Sequence, residues 1–148
     1  MLDPHDNSVR DACIALRLGL GFIWIYEGLV PKLLLPISGF EKGVVAASGL
    51  VPNGFEVPLI HVLGVLEIML GLLILGGIRL RPLCVVQALV VGIFTVVIPA
   101  THPATLTHPF GLLTKNVPIL GAIVALWFLS EISAEKPRKS TERPDDPC

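Results

Sequence analysis

Charged and amide side chains stand inside or at the edges of apolar runs, where they are costly to keep. Glu27 and Lys32 interrupt ACIALRLGLGFIWIYEGLVPKLLL, Glu67 and His61 share VPLIHVLGVLEIMLGLLILGGI, and Lys115 and Asn116 open KNVPILGAIVALWFLSE. A carboxylate in hydrocarbon is either protonated or partnered, because desolvation disfavours its charge. Such a group can exchange a proton, hold the polar head of a small molecule, or pin two helices in register through an ion pair. The candidate ligand-binding or proton-relay residues are Tyr26, Glu27, Lys32, His61, Glu67, His108, Thr114, Lys115 and Asn116. Whether Glu27 pairs with Lys32, Lys115 or His61 stays open at this level. By donor type His61, His102 and His108 with a carboxylate would suit zinc or iron, but they are dispersed and lack ligand spacing, so no metal is expected.

The elements that must position these groups follow from composition. Of 148 residues 53% are hydrophobic and only 16% charged, and mean hydropathy is +0.76. That excludes a disordered chain and an ordinary water-soluble enzyme. Eleven Lys and Arg against twelve Asp and Glu leave a net charge of −1, with no field to attract nucleic acid. A membrane-crossing helix needs about 20 mostly apolar residues. Four such spans are predicted, at about 12–35, 57–78, 82–101 and 115–131. The expectation is therefore an all-α integral membrane four-helix bundle occupying 1–132, followed by a disordered cytoplasmic tail over 133–148. The first run is too long, and too interrupted by charge, for the apolar region of a cleaved signal peptide.

Connections and faces refine the picture. Arg79 to Arg81 predicts a tight turn that makes spans two and three antiparallel neighbours, and FEKGVVAASGL within 36–56 predicts a short interfacial helix. On helical spacing Arg17, Gly21, Trp24, Gly28 and Pro31 form one stripe, with Glu27 and Lys32 at its edges. His61, Gly64, Glu67 and Gly71 share a face in span two, where the glycines allow close helix approach. Cys84, Gln87, Thr95 and His102 align in span three if the helix continues through Pro99. Pro118, Gly121, Ala122 and Ala125 are expected to close the bundle in span four. Trp24, Tyr26 and Trp127 read as packing or interface anchors. Arg10, Arg17, Arg79, Arg81, Lys136, Arg138, Lys139 and Arg143 fall at one end and Lys32, Lys42 and Lys115 at the other, which predicts both termini in the cytoplasm. Nearly all the embedded polar groups then lie in the outer half, around a pocket open to the outside. Cys13, Cys84 and Cys148 form no CxxC and no dithiol relay is expected.

The paired segments WIYEGLVPKLL and THPFGLLTKNVPIL resemble the DoxX-like family of small bacterial membrane proteins, and the likeness runs from about Arg17 to Leu129. The resemblance implies four helices in the bacterial inner membrane and points to Tyr26, Glu27, Gly28, Pro31 and Lys32. From the second segment it points to His108, Pro109, Phe110, Gly111, Thr114, Lys115 and Asn116. The wider group includes a subunit associated with thiosulfate:quinone oxidoreduction and other components linked to redox or stress protection. It therefore implies an accessory or redox-associated subunit, with a quinone or other small molecule as ligand and a membrane or redox partner subunit, or a second copy, beside it. A small proton-linked transporter and a purely structural assembly component are the alternatives. No nucleophile–base pair, phosphate loop or cysteine relay is visible, so no independent catalytic activity is expected.

Overall fold

The structure is a computed structural model that describes residues 4–49, 51–52, 54–101, 103, 106 and 112–141. Among these the chain is all-α, with no strand. The helices are α1 (Pro4–Leu29), α2 (Gly39–Ser48), α3 (Glu56–Gly76), α4 (Leu80–Thr101) and α5 (Leu112–Thr141), and a π-helical turn, Val30–Leu34, continues α1. Four helical stretches are long and apolar enough to cross a membrane: Asn7–Leu34, Glu56–Gly76, Leu80–Ala100 and Thr114–Ile132. The expected spans lie within a few residues of these. The backbone of α5 is helical to Thr141. Extending an existing helix adds one hydrogen bond per residue fixed, so a formed span carries its helix outward at little cost.

α2 is the short helix anticipated between spans one and two. Ser38 and Glu41 form a capping box: the Glu41 N–H donates to Ser38 Oγ at 3.2 Å and the Ser38 N–H donates to Glu41 Oε2 at 3.0 Å. Gly49, at φ +66°, ends it in the left-handed conformation that glycine adopts without strain.

The closest packing in the bundle is α1 on α3. Gly21 and Gly28 meet Gly71 and Gly64 in antiparallel order. A Cβ built on Gly64 would stand 2.8 Å from the Gly28 carbonyl oxygen and 2.9 Å from Lys32 Cβ; one on Gly71 would stand 2.7 Å from the Gly21 oxygen. Lipid tails give helices no hydrophobic reason to associate, so this backbone-to-backbone approach supplies the van der Waals contact that holds the pair. Arg17 locks one end of the pair. α3 terminates at Gly77, where the Gly77 N–H donates to the Ile74 carbonyl and the Ile78 N–H to the Leu73 carbonyl. Arg17 adds Nε to the Ile74 carbonyl at 3.1 Å and Nη2 to the Leu75 carbonyl, placing a cation on the negative end of α3.

The remaining helices close a ring in the order α3, α1, α5, α4. α1 packs on α3 and α5, α4 packs on α5, and α4 meets α3 only loosely, although the turn 77–79 joins them. Leu20, Ile74 and Leu126 are fully buried at the centre with Cys84 and Gln87. Leu18, Phe22, Met69, Leu89, Val96 and Phe128 point outward, as a lipid-facing surface requires. In α4 the inward stripe is Cys84, Gln87, Val91 and Thr95, and the helix does run through Pro99. In α5 the sequence expectation holds only in part: Ala122 packs against the core and Ala125 is half-buried, but they flank the inward face rather than form it. The buried stripe is Asn116, Ile119, Ile123 and Leu126, whereas Pro118 and Gly121 are exposed. Close approach is needed only between α1 and α3; elsewhere the bundle needs bulk to fill its centre, and Ile and Leu supply it.

The glycine contact predicts an asymmetry. Gly64→Ala should destabilise the folded protein by about 1–3 kcal/mol, as overpacking against a rigid backbone does. Gly121→Ala, whose Cβ meets nothing within 4 Å, should leave stability unchanged or slightly raised. Thermal unfolding of both variants in the same mild detergent compares them directly.

Candidate functional site

At the end of the bundle away from Arg17, proline chemistry prepares the site. Pro31 has no N–H, so the Glu27 carbonyl four residues earlier loses its helical partner. The helix widens to a π turn, with the Leu35 N–H donating to the Val30 carbonyl at 3.0 Å. Lys32 Nζ takes up the orphaned Glu27 carbonyl at 2.9 Å. The same ammonium donates to Glu67 Oε2 at 2.6 Å, linking α1 to α3 just beyond the Gly28–Gly64 contact. Lys115 of α5 donates to Glu27 Oε1 at 2.8 Å, linking α5 to α1. The pairing of Glu27 is thus settled in favour of Lys115 for the carboxylate and Lys32 for the backbone.

The two ion pairs differ in setting. Lys32 and Glu67 keep 17% and 11% of their side-chain surface exposed, whereas Lys115 and Glu27 keep 47% and 33%. Alternating charges thus lead from a wet mouth to a nearly buried carboxylate. Asn116, buried beside them, donates through Nδ2 to Thr95 Oγ1 at 2.7 Å, and Thr95 Oγ1 donates to the Val91 carbonyl at 2.6 Å.

These residues border a cavity of about 480 Å³, within the roughly 300–1,000 Å³ usual for small-molecule sites. Its charged rim is Glu27, Lys32, Glu67 and Lys115, with Glu41 of α2 beside them; its apolar wall includes Ile23, Ile60, Leu63, Val91, Phe94 and Ile119, and Phe40, Val44 and Val45 of α2 line it too. Trp24 also lines it and donates Nε1 to Gln87 Oε1 at 2.9 Å. Gln87 is fully buried, and its Nε2 has no hydrogen-bond partner among the described residues.

The cavity therefore gathers Glu27, Lys32, Glu67, Lys115 and Asn116 from the residues singled out in the sequence. It does not gather the others. Tyr26 is half exposed and stacks on Phe22 with ring centroids 6.0 Å apart, on the outer face of α1. His61 is exposed on α3 and outside the cavity lining, one position past buried Ile60. Thr114 is exposed beside Lys115. His102 and His108 lie outside the described residues, as does Cys148. Among the described residues no group of three or more His, Cys, Asp or Glu is placed to hold a metal ion. Cys13 and Cys84 share the buried core, yet no Cα of α1 lies within 8 Å of one in α4. A disulfide would need a separation of roughly 4.4–6.8 Å.

Sequence reasoning missed three features. The contribution of α2 to the cavity wall needed the tertiary fold. So did the Trp24–Gln87 bond, which joins positions 63 apart. The capture of the Glu27 carbonyl by Lys32 was legible in principle, because a proline frees the carbonyl four residues before it and the lysine is its neighbour.

A bundle of four apolar helices with a one-ended polar cavity defines a multi-pass membrane protein. More particularly, the chain belongs to the DoxX-like family, whose sequence profile matches residues 21–124 and so includes every charged group of the cavity rim. No curated protein and no solved structure matches the chain.

The pairs make opposite predictions. Lys32→Met leaves Glu67 without its partner and should cost on the order of 3 kcal/mol, while Lys32→Met with Glu67→Met should recover most of that loss. Lys115→Gln, at the exposed pair, should change stability by less than about 1 kcal/mol. Denaturation midpoints of the three variants in lipid nanodiscs report both.

Proposed function

We propose that this protein is an accessory, redox-associated subunit of the bacterial inner membrane that binds a quinone or a similar small amphipathic molecule. The observation that carries the reading is the cavity, in which an apolar wall ends in a rim of hydrogen-bonding and charged groups. Such a site suits a molecule with one polar head and an apolar body. Glu67 and Lys32 would meet the head, Lys115 and Glu27 would guard the mouth, and a carboxylate at either pair can exchange a proton with a ligand that changes protonation. The reading includes a membrane or redox partner subunit that delivers or removes reducing equivalents.

Both termini belong on the cytoplasmic side in this reading. Four spans return the chain to the side from which it started, and Arg10, Arg17, Arg79 and Arg81 lie at the end opposite the cavity, against Lys32, Lys42 and Lys115 at the cavity end. The cavity then opens toward the outer face. A through-going transporter is less well supported, because the apolar side chains of Leu20, Ile74 and Leu126 are fully buried between the cavity and the Arg17 end. A purely structural role would leave the cavity without use.

Extraction in mild detergent followed by native mass spectrometry and lipid analysis tests the reading. The expected result is a stoichiometric quinone or other lipid-phase molecule in the wild-type protein, reduced tenfold or more per folded molecule in Glu67→Gln, for about 1.4 kcal/mol of lost affinity. Empty wild-type protein that gains no stability from added decylubiquinone would overturn it.

A further inference from the structure

The cavity has walls of unequal quality. α1 seals it against α3 through the glycine contact, and α5 seals it against both α1 and α4. Between α3 and α4 the ring is loosest, because the short turn pins these helices together only at the opposite end. At the level of the cavity that seam is bridged by α2, which rests on both α3 and α4 and turns Phe40, Val44 and Val45 inward. α2 is also self-contained. Its capping box and its left-handed Gly49 satisfy its own ends, and none of its residues is buried. A helix with so little buried surface is of the kind that opens at low cost.

We infer that α2 is a door, and that the cavity exchanges its occupant with the bilayer through the seam between α3 and α4. The occupant is a single-chain lipid-phase molecule with a neutral, hydrogen-bonding carbonyl or hydroxyl head. This rests on the binding reading above and adds both the route and the head chemistry. Size supports the route. A cavity of about 480 Å³ holds a ring-sized head and the first part of a chain, so the rest of a longer molecule must lie outside. Leu63 on α3 and Phe94 and Ile98 on α4 set no polar barrier along the seam. Charge supports the head. The lining carries Glu27, Glu41 and Glu67 against Lys32 and Lys115. Both ammonium groups already hold a carboxylate, and Glu41 is engaged by Ser38. A phosphate or carboxylate head would find no uncommitted cation among these residues and a small excess of negative charge, whereas a neutral head can hydrogen-bond at the rim without displacing either pair.

The test uses the full chain carrying Trp127→Phe, which leaves Trp24 as the sole tryptophan, in phosphatidylcholine nanodiscs. Trp24 lines the cavity and is only 6% exposed. Its fluorescence is read with lipid brominated on the acyl chains, with decylubiquinone, and with the tail-less benzoquinone of the same ring. The expected result is quenching by the brominated chains and saturable quenching by decylubiquinone, with the tail-less compound at least roughly tenfold weaker because its burial of apolar surface is lost. Gly49→Ala, which strains the end of α2 without touching the lining, should raise the association and dissociation rates of decylubiquinone together. If the brominated chains leave Trp24 unquenched and the tail-less quinone binds as well as decylubiquinone, loading is from the aqueous mouth. The door is then overturned while the binding reading survives. If the brominated chains quench but neither quinone binds, the lateral route stands and the quinone-type head falls.

Discussion

Hydrocarbon offers no hydrogen-bond partner, so every carbonyl and charge that a membrane bundle buries must be answered from within the bundle. Much of this structure is the consequence. Arg17 exists at its depth because α3 ends there with carbonyls to satisfy. Lys32 lies beside Pro31 because the proline frees the Glu27 carbonyl, and the same ammonium neutralises Glu67. Asn116 and Thr95 bond each other across α5 and α4. Each of these contacts also ties one helix to another, so satisfying polar groups and fixing the register of the bundle are the same act.

The glycine contact between α1 and α3 sets the geometry on which these bonds depend. It brings two backbones close enough for Arg17 to reach α3 at one end and Lys32 to reach it at the other. It also makes the bundle uneven. Helices that approach so closely on one side leave the opposite side of a four-helix ring to be filled by large side chains or left open. Near Arg17 it is filled, by Leu20, Ile74 and Leu126. Toward Lys115 it is open, and α2 covers the gap.

That unevenness bears on function. Of the carboxylates that line the site, Glu27 and Glu67 each hold a lysine, which leaves neither lining ammonium uncommitted. The pairs are graded in exposure, with Lys115 and Glu27 open at the mouth and Lys32 and Glu67 nearly buried. Family membership is consistent with this placement, since the matched stretch spans the whole rim, but the chemistry is argued from the rim itself.

The fold class, the four spans, the short helix between the first two and the polar end of the bundle were all legible in the sequence, because hydrophobic run length and helical periodicity are local properties. The stripes on α1 and α4 were legible for the same reason. On α5 periodicity allowed two faces, and only the packed bundle decided that Ile119, Ile123 and Leu126 turn inward. His61 shows the same limit: it sits one residue from buried Ile60, and a rotation of 100° separates core from surface. The partner of Glu27 was undetermined because an ion pair depends on the approach of distant helices, and Lys115 lies 88 residues away. Sequence by itself determined that these charges would be embedded together at one end. Tertiary structure decided which ones touch, because contact distance is set by where the glycines let the backbones meet.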